Sequence, residues 1–294
     1  MKATRSLYVG AGLLLVAAAI CALSGCAGKK NVWGDVESGL ILEYRMKQGD
    51  VLKYETVHEG VEKVEVMGQT NESATSKSYT FTVESKGMKG GNLLLGITID
   101  SMEAGLKSAQ GEFEADTEDV LGKSFDMVLT PLGDEVDLST AEEIKYSAGP
   151  MGDRSIKNDF ESIFSNLAGR PVKVGDSWES PDSLYLDQGN TQLTIKTVSV
   201  HTLDGYETMM GLECARIVSK FTGTVTGTGE QMGAPLVIDG TTEGSETWYF
   251  AYKEGYLVNA SADVDSDLSV TVQMGQEMKI PVTSSGTLET TLIK

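Results

Sequence analysis

The residue of this chain whose type and setting together prescribe a chemical event is Cys26. It closes Leu23-Ser24-Gly25-Cys26, after an apolar run from Leu7 to Leu23 that itself follows Lys2 and Arg5. A basic start, an apolar middle and small residues make an export signal with a cleavage site. A cysteine directly after the small residues adds a thiol to be acylated, so cleavage there leaves a lipidated amino terminus. The rival reading is an uncleaved anchor. The run has 17 residues and contains Gly10 and Gly12, which puts it at the short edge of the roughly 17–25 that span a bilayer. One acyl chain anchors reversibly, at about 0.8 kcal/mol per buried CH2, and two or more make attachment stable.

No other residue set carries comparable chemistry. Cys214, in the strand-like run Leu212 to Val218, is the one cysteine left after export and lipidation. It reads as a buried, inert thiol. The two histidines, His58 and His201, fall in no cysteine-hydrolase pattern. Asp263, Asp265 and Asp267 start like a calcium loop, but Leu268 stands where the turn glycine belongs and Met274 where the closing glutamate belongs. At period 2 these acids share one face of a strand, as do Glu112, Glu114 and Glu118 with Asp116, and both rows read as solvated faces. Zinc pairs, a phosphate-cradling loop and a Gly-x-Ser-x-Gly elbow are all missing. Val225 to Glu230, with its spaced glycines, reads as a hairpin end. The sequence therefore predicts a non-enzymatic protein with no cofactor and no metal.

Charge narrows the partners. The chain has 43 acids against 24 bases, a formal charge of −19. The segment before Cys26 holds two of the bases and no acid, so cleavage makes the remainder more acidic still. Such a balance excludes nucleic acid and disfavours anionic headgroups. The expected partners are the membrane, through the lipid, and either an apolar or amphiphilic ligand or another envelope protein.

The body must consist of strands. Leu40, Leu42, Tyr44 and Met46 alternate with polar or outward residues, as do Tyr79, Phe81 and Val83, and Leu93, Leu95, Ile97 and Ile99. This is the period of half-buried strands. Gly87 to Gly91, Pro131 to Asp134, Asp204-Gly205 and Lys253 to Gly255 supply turn chemistry between such runs. The fold class predicted is mainly β: antiparallel, open or partly closed barrel-like sheets, in two related halves. Trp178 and Trp248 are expected as buried anchors at corresponding positions of those halves. One stretch breaks the pattern. Ile156, Phe160, Ile163, Phe164 and Leu167 lie at i, i+4, i+7, i+8 and i+11, a helical stripe. Asp153 or Ser155 would cap its start, and Gly169 with Pro171 would stop it. Thr140 to Glu143 signals a shorter helix upstream.

The organisation expected is thus a signal over 1–25, a lipidated tether over 26–38 and a body over 39–294. Within the body the halves are 39–138 and 170–294, joined by a helical connector over 139–169. Gly49-Asp50-Val51-Leu52 echoes Gly175-Asp176-Ser177-Trp178, which supports the duplication.

The start, ending in Leu23-Ser24-Gly25-Cys26, resembles a bacterial lipoprotein signal with its lipobox. The mature part also bears a resemblance. Pro171-Val172-Lys173-Val174-Gly175-Asp176-Ser177-Trp178, with Tyr44 to Asp50 and Gly211 to Ile217, is similar to the recurrent stretches of an uncharacterised bacterial lipoprotein family, a domain of unknown function. That resemblance implies an exported protein with palmitate-type acylation on Cys26. It also implies a location in the cell envelope, with no activity to carry over. Ala27 follows the cysteine where an aspartate would retain an enteric lipoprotein at the inner membrane, so the outer membrane is expected in a host with two.

The function expected is a lipid-anchored envelope protein that binds an apolar or amphiphilic ligand. Ile156, Phe160, Ile163, Phe164 and Leu167 would border that ligand's cavity. A scaffold lipoprotein binding another protein comes second, and a hydrolase last.

Overall fold

Alternating apolar and small polar residues lay down strands long enough to curl. In the computed structural model the described residues are 31–149, 152–161, 163–187, 190–231, 233–274 and 276–294. Cys26, the export signal and the start of the tether lie outside them. Two short strands, β1 (Gly34–Asp35) and β2 (Gly39–Leu40), pair with each other ahead of the main body. The first group of body strands is β3 (Val51–Val66), β4 (Gln69–Lys89), β5 (Asn92–Ser108), β6 (Gly111–Glu114), β7 (Ser124–Leu129) and β8 (Glu135–Asp137). Two three-residue strands, β9 (Lys145–Ser147) and β10 (Asp153–Ser155), pair in the middle and lead into a single-turn helix, α1 (Lys157–Phe160). The second group is β11 (Ser177–Asp187), β12 (Thr191–Met209), β13 (Leu212–Gln231), β14 (Ala234–Ala251), β15 (Tyr256–Met274) and β16 (Gln276–Leu292).

Both groups join one 12-stranded antiparallel sheet in the order β11-β12-β13-β14-β15-β16-β3-β4-β5-β7-β8, with β6 also on β5. The joint is β16 against β3, from Val282 opposite Val64 to Leu292 opposite Tyr54. Among the described residues no pairing links β11 to β6 or β8, so the barrel-like sheet is open.

The sequence echo around the two Gly-Asp pairs is a structural one. Gly49 donates to the Ser85 carbonyl, Asp50 to that of Lys47, and the Asp50 carboxylate accepts from the Lys47 amide. Gly175, Asp176 and Lys173 repeat those bonds, with Leu203 in the place of Ser85. Both glycines are left-handed, at φ 88° and 91°, which only glycine adopts cheaply. Trp178 and Trp248 are both buried, but they touch edge to face at 6.5 Å. By the repeated turn the counterpart of Trp178 is Leu52, so the two tryptophans are neighbours and not equivalents.

Four further expectations change. The stripe from Ile156 to Leu167 is helical only over Lys157–Phe160, because Glu161 is already extended at φ −67°, ψ 126°. The Ser155 hydroxyl accepts from the Lys157 amide, but Ile156 stands at the N-cap and makes no side-chain cap bond. Upstream, the short helix is a 3-10 turn over Ser139–Ala141. Asp204-Gly205 is not a hairpin turn but a bulge within β12, where one extra residue bends the strand. Val225 to Gly229 is paired on both sides by β12 and β14, and Glu230 leads into the β13–β14 hairpin, so the segment is the laddered end of a hairpin strand and not its turn. Its glycines give room to larger neighbours: a Cβ on Gly227 would meet the Leu193 side chain at 2.5 Å.

Residues opposite one another on neighbouring strands share a face, so the ladders sort the interior into rows. The lowest rows are packed, with Tyr54, Phe81, Ile97, Phe125, Trp248 and Phe250 in the main core. The next row holds His201, Ser219, Glu246, Ala262, Leu288, His58 and Lys77 in register from β12 to β4. Above it the wall is rich in glycine, with Gly244, Val264, Gly286 and Gly60 aligned and the Phe221 ring laid against Gly244. Farther up, aliphatic side chains return as a second cluster around Val225, Leu236, Ile238 and Val272.

Candidate functional site

The connector folds back into the sheet because its apolar residues are spaced to meet the core. Phe160 is fully buried, with ring contacts at 5.0 Å to Phe81 and to Phe125 and at 5.7 Å to Tyr79. Phe164 meets Tyr44 edge to face at 5.5 Å. Ile156, Phe160, Phe164 and Leu167 are buried in the main core, and Ile163 packs half-buried against it. None of these five lines a cavity edge beside α1; the helix presents Asn158 and Asp159 there instead.

That cavity is an open cleft of about 390 Å³ between the inner wall of β4, β5 and β6 and the edge strand β11. One side is apolar: Leu106 and Phe113 from β5 and β6 face Leu184 and Leu186 from β11. Leu106 and Phe113 are in register with each other, and Leu184 and Leu186 alternate along their strand, so each pair points inward by the period-2 rule. All four are solvated to some degree, and Phe113 is 37% exposed.

The floor is charged. Lys77, at an inward position of β4, forms an ion pair with Asp159 of α1 and donates to the Tyr146 hydroxyl at 3.2 Å. Burial alone would lower the Lys77 ammonium, but Asp159 and Tyr146 outweigh it and hold it above its ordinary value. Burial raises the Asp159 carboxyl against the pull of Lys77. The second oxygen of Asp159 is buried and has no hydrogen-bond partner among the described residues. Arg154 stands opposite Tyr146 in the β9–β10 pair and borders the same space. His58 lies next to Lys77 across the ladder, and burial keeps it below its ordinary pKa.

A second polar group sits in the same row on the other side of the interior. His201 is bracketed by Ser180 at its Nε2 and Ser219 at its Nδ1, each at 2.7 Å, and stacks on Trp178. Burial lowers it to about 4. Glu246, which accepts from the Ser165 hydroxyl at 3.3 Å, is pushed up by burial to about 7. These groups are capped by structural partners and border packed rings, which is the arrangement of a satisfied core, not of an acid–base pair. Cys214 is fully buried, and burial pushes its thiol up to about 11, so the inert reading of that residue stands.

The acidic rows lie on the outer face. Asp263, Asp265 and Asp267 are exposed on β15, out of phase with the inward Val264 and Ser266. Among the described residues no group of three or more His, Cys, Asp or Glu could hold a metal ion. No helix among them is long and apolar enough to cross a membrane.

Sequence reasoning missed the floor of the cleft. Its one visible signal was Lys77, which shares the inward phase of Tyr79 and Phe81 and so stands where an apolar residue belongs. Tyr146, Arg154 and Asp159 come together only through the folding of the connector.

No family model and no curated protein matches the sequence. Among solved structures, Pseudomonas aeruginosa OccK2 in complex with glucuronate aligns over 86% of this chain and 100% of its own, at 6% identity and a TM-score of 0.24. A DUF1329 family protein from Desulfovibrio piger aligns over 79% of this chain and 83% of its own, at 11% identity and a TM-score of 0.14. OmpT, an outer membrane protein of Vibrio cholerae, aligns over 84% and 100%, at 9% identity and a TM-score of 0.15. At these scores the likenesses carry no argument about this chain.

Proposed function

We propose that this protein is a lipid-tethered, non-enzymatic envelope protein that binds an amphiphilic ligand in the cleft beside β11. The observation that carries this reading is the division of one open cavity into an aliphatic side and a charged floor. Its volume is within the roughly 300–1,000 Å³ of small-ligand sites, which are mostly apolar with a few placed polar groups. Tethering rests on Leu23-Ser24-Gly25-Cys26. The aliphatic groups are poor candidates for chemistry, and the one strong ion pair in the cleft is committed to joining β4 to the connector.

Native mass spectrometry of the full chain released from membranes tests the reading. A co-purified amphiphile is the expected result, reduced when Leu184 and Leu186 are both replaced by Asp. Bare protein from several extractions would sink it. The scaffold reading has an observation of its own: β11 is an edge of 11 residues, paired among the described residues with β12 alone. Its Pro181 removes a backbone donor, and Glu179, Asp182 and Asp187 place charges along it. Proline and charge are how natural edges resist strand addition, so the cleft is the better site.

A further inference from the structure

Resting on the cleft as a ligand site, we propose that its ligand is an anionic amphiphile, whose acid group is held by Arg154 while its chain lies on Leu106, Phe113, Leu184 and Leu186. A half-buried guanidinium is a cost to a cavity that takes only apolar molecules. Lys77 and Asp159 spend their charges on each other. Burial disfavours the charge on His58. Arg154 remains, half-buried at the cleft: Asp159 and Tyr146 act on it through space, but among the described residues it closes no ion pair and donates no side-chain hydrogen bond, so its guanidinium fork keeps its donors. The floor of the cleft is therefore a local positive site in a chain of charge −19.

Residue type matters as much as sign. A guanidinium presents a planar fork of donors that matches a carboxylate or a phosphate with two parallel bonds. The backbone of Arg154 is fixed by its pairing with Tyr146, and the Tyr146 hydroxyl is fixed by Lys77. The β9–β10 pair thus sets the cation in the same cavity lining as the four apolar side chains. A molecule with an acid at one end and a hydrocarbon at the other satisfies both surfaces. A fatty acid and a phosphate-bearing lipid both meet this description, since carboxylate and phosphate each offer two oxygens to a guanidinium fork.

The test is photolabelling of the full chain in isolated membranes with three probes bearing the same diazirine alkyl chain: hexadecanoic acid, a lysophosphatidic acid and hexadecanol. One or both acidic probes should crosslink to β5, β6 or β11, and whichever labels identifies the source of the acid group. The alcohol should label about tenfold less, the cost of losing a charge-assisted bond. Arg154→Gln should bring the acidic probes down to the level of the alcohol, and Arg154→Lys should keep much of the preference. Should Arg154→Gln fail to fold, the acid-to-alcohol ratio on the unaltered chain decides alone. Equal labelling by all three probes within the cleft would overturn the headgroup assignment and leave the cleft as a ligand site. Absence of any label on those strands would overturn both readings.

Discussion

Glu246 and His201 stand two strands apart in one interior row, and they pull stability in opposite directions as pH changes. The folded-state pKa of Glu246 is raised from 4.5 to about 7. Its contribution is therefore fully present below pH 4.5 and is lost as pH rises toward 7. That of His201 is lowered from 6.5 to about 4, so its contribution is present above pH 6.5 and is lost as pH falls toward 4. Each is worth about 3 kcal/mol at 1.36 kcal/mol per unit. Between pH 4.5 and 6.5 the two slopes offset each other. Glu246→Gln should unmask the histidine: stability rising from pH 4 to 6.5, and at pH 8 a gain of up to about 3 kcal/mol over the unaltered protein. Urea unfolding across that range measures it, and a variant whose profile parallels the original would refute the assignment. The ion pair of the cleft floor gives a second prediction. Lys77→Met alone should cost about 3 kcal/mol, because it leaves the buried Asp159 without its ion-pair partner and with only Arg154 and His58 acting at longer range. Adding Asp159→Leu should recover most of that loss, and a double variant no better than the single would mean that the pair itself stabilises the connector.

The connector shows how a short element is held. A single turn has no stability of its own, so α1 persists because Phe160 is clasped by Tyr79, Phe81 and Phe125. Phe160→Ala should cost about 3–5 kcal/mol in urea unfolding. Asn158→Ala, on the cleft side of the same turn, should stay within about 0.5 kcal/mol. A small effect at Phe160 would mean that the connector is not part of the core. The same element marks where sequence reading succeeded and failed. Leu93, Leu95, Ile97 and Ile99 all point inward, as their period requires, and so do Tyr79, Phe81 and Val83. Turns at Gly90-Gly91, Gly133 and Gly255 fall between strands, since left-handed backbone at these sites leaves glycine as the residue of choice. Ile156 to Leu167 misled because burial at intervals is all that its spacing encodes. A chain that touches a core repeatedly in extended form satisfies it as well as a helix does. Leu40, Leu42 and Tyr44 show the reverse case: all three are buried in alternation, yet beyond Leu40 the segment joins no ladder. The inward phase of β5 changes at a bulge, after which Met102 and Ala104 replace the odd-numbered residues. No single-residue pattern foretells such a shift, and the cleft floor depends on it, since Ala104 leaves room beside Lys77.

At the scale of the whole molecule, the two strand groups are sewn together by the last strand. β16 lies between β15 and β3, and eleven register pairs join it to the first long strand. Buried Thr56 and Thr290 bond across that seam at 3.0 Å. The residues it pairs are more than 200 positions apart, the Tyr54 hydroxyl reaching the Leu257 carbonyl across 203. Such non-local pairing delays the return on loop-closure entropy, so the sheet should fold slowly for its size. The main core draws from both groups at once, with Phe81 and Ile97 on one side and Trp248 and Phe250 on the other. The repeated Gly-Asp turns argue that the groups share a design, while the shared core argues that neither stands alone. Removing β16 (Gln276–Leu292) separates these arguments. The shortened chain should lose its sharp urea transition and its near-ultraviolet dichroism together, because two long edges are exposed and the seam that joins the two sides of the main core is gone. If instead it keeps two separate cooperative transitions, each with a proportionally smaller m value, then the two groups are autonomous domains and the seam only docks them. The m value decides, because it follows the surface exposed in each transition and not the mean stability.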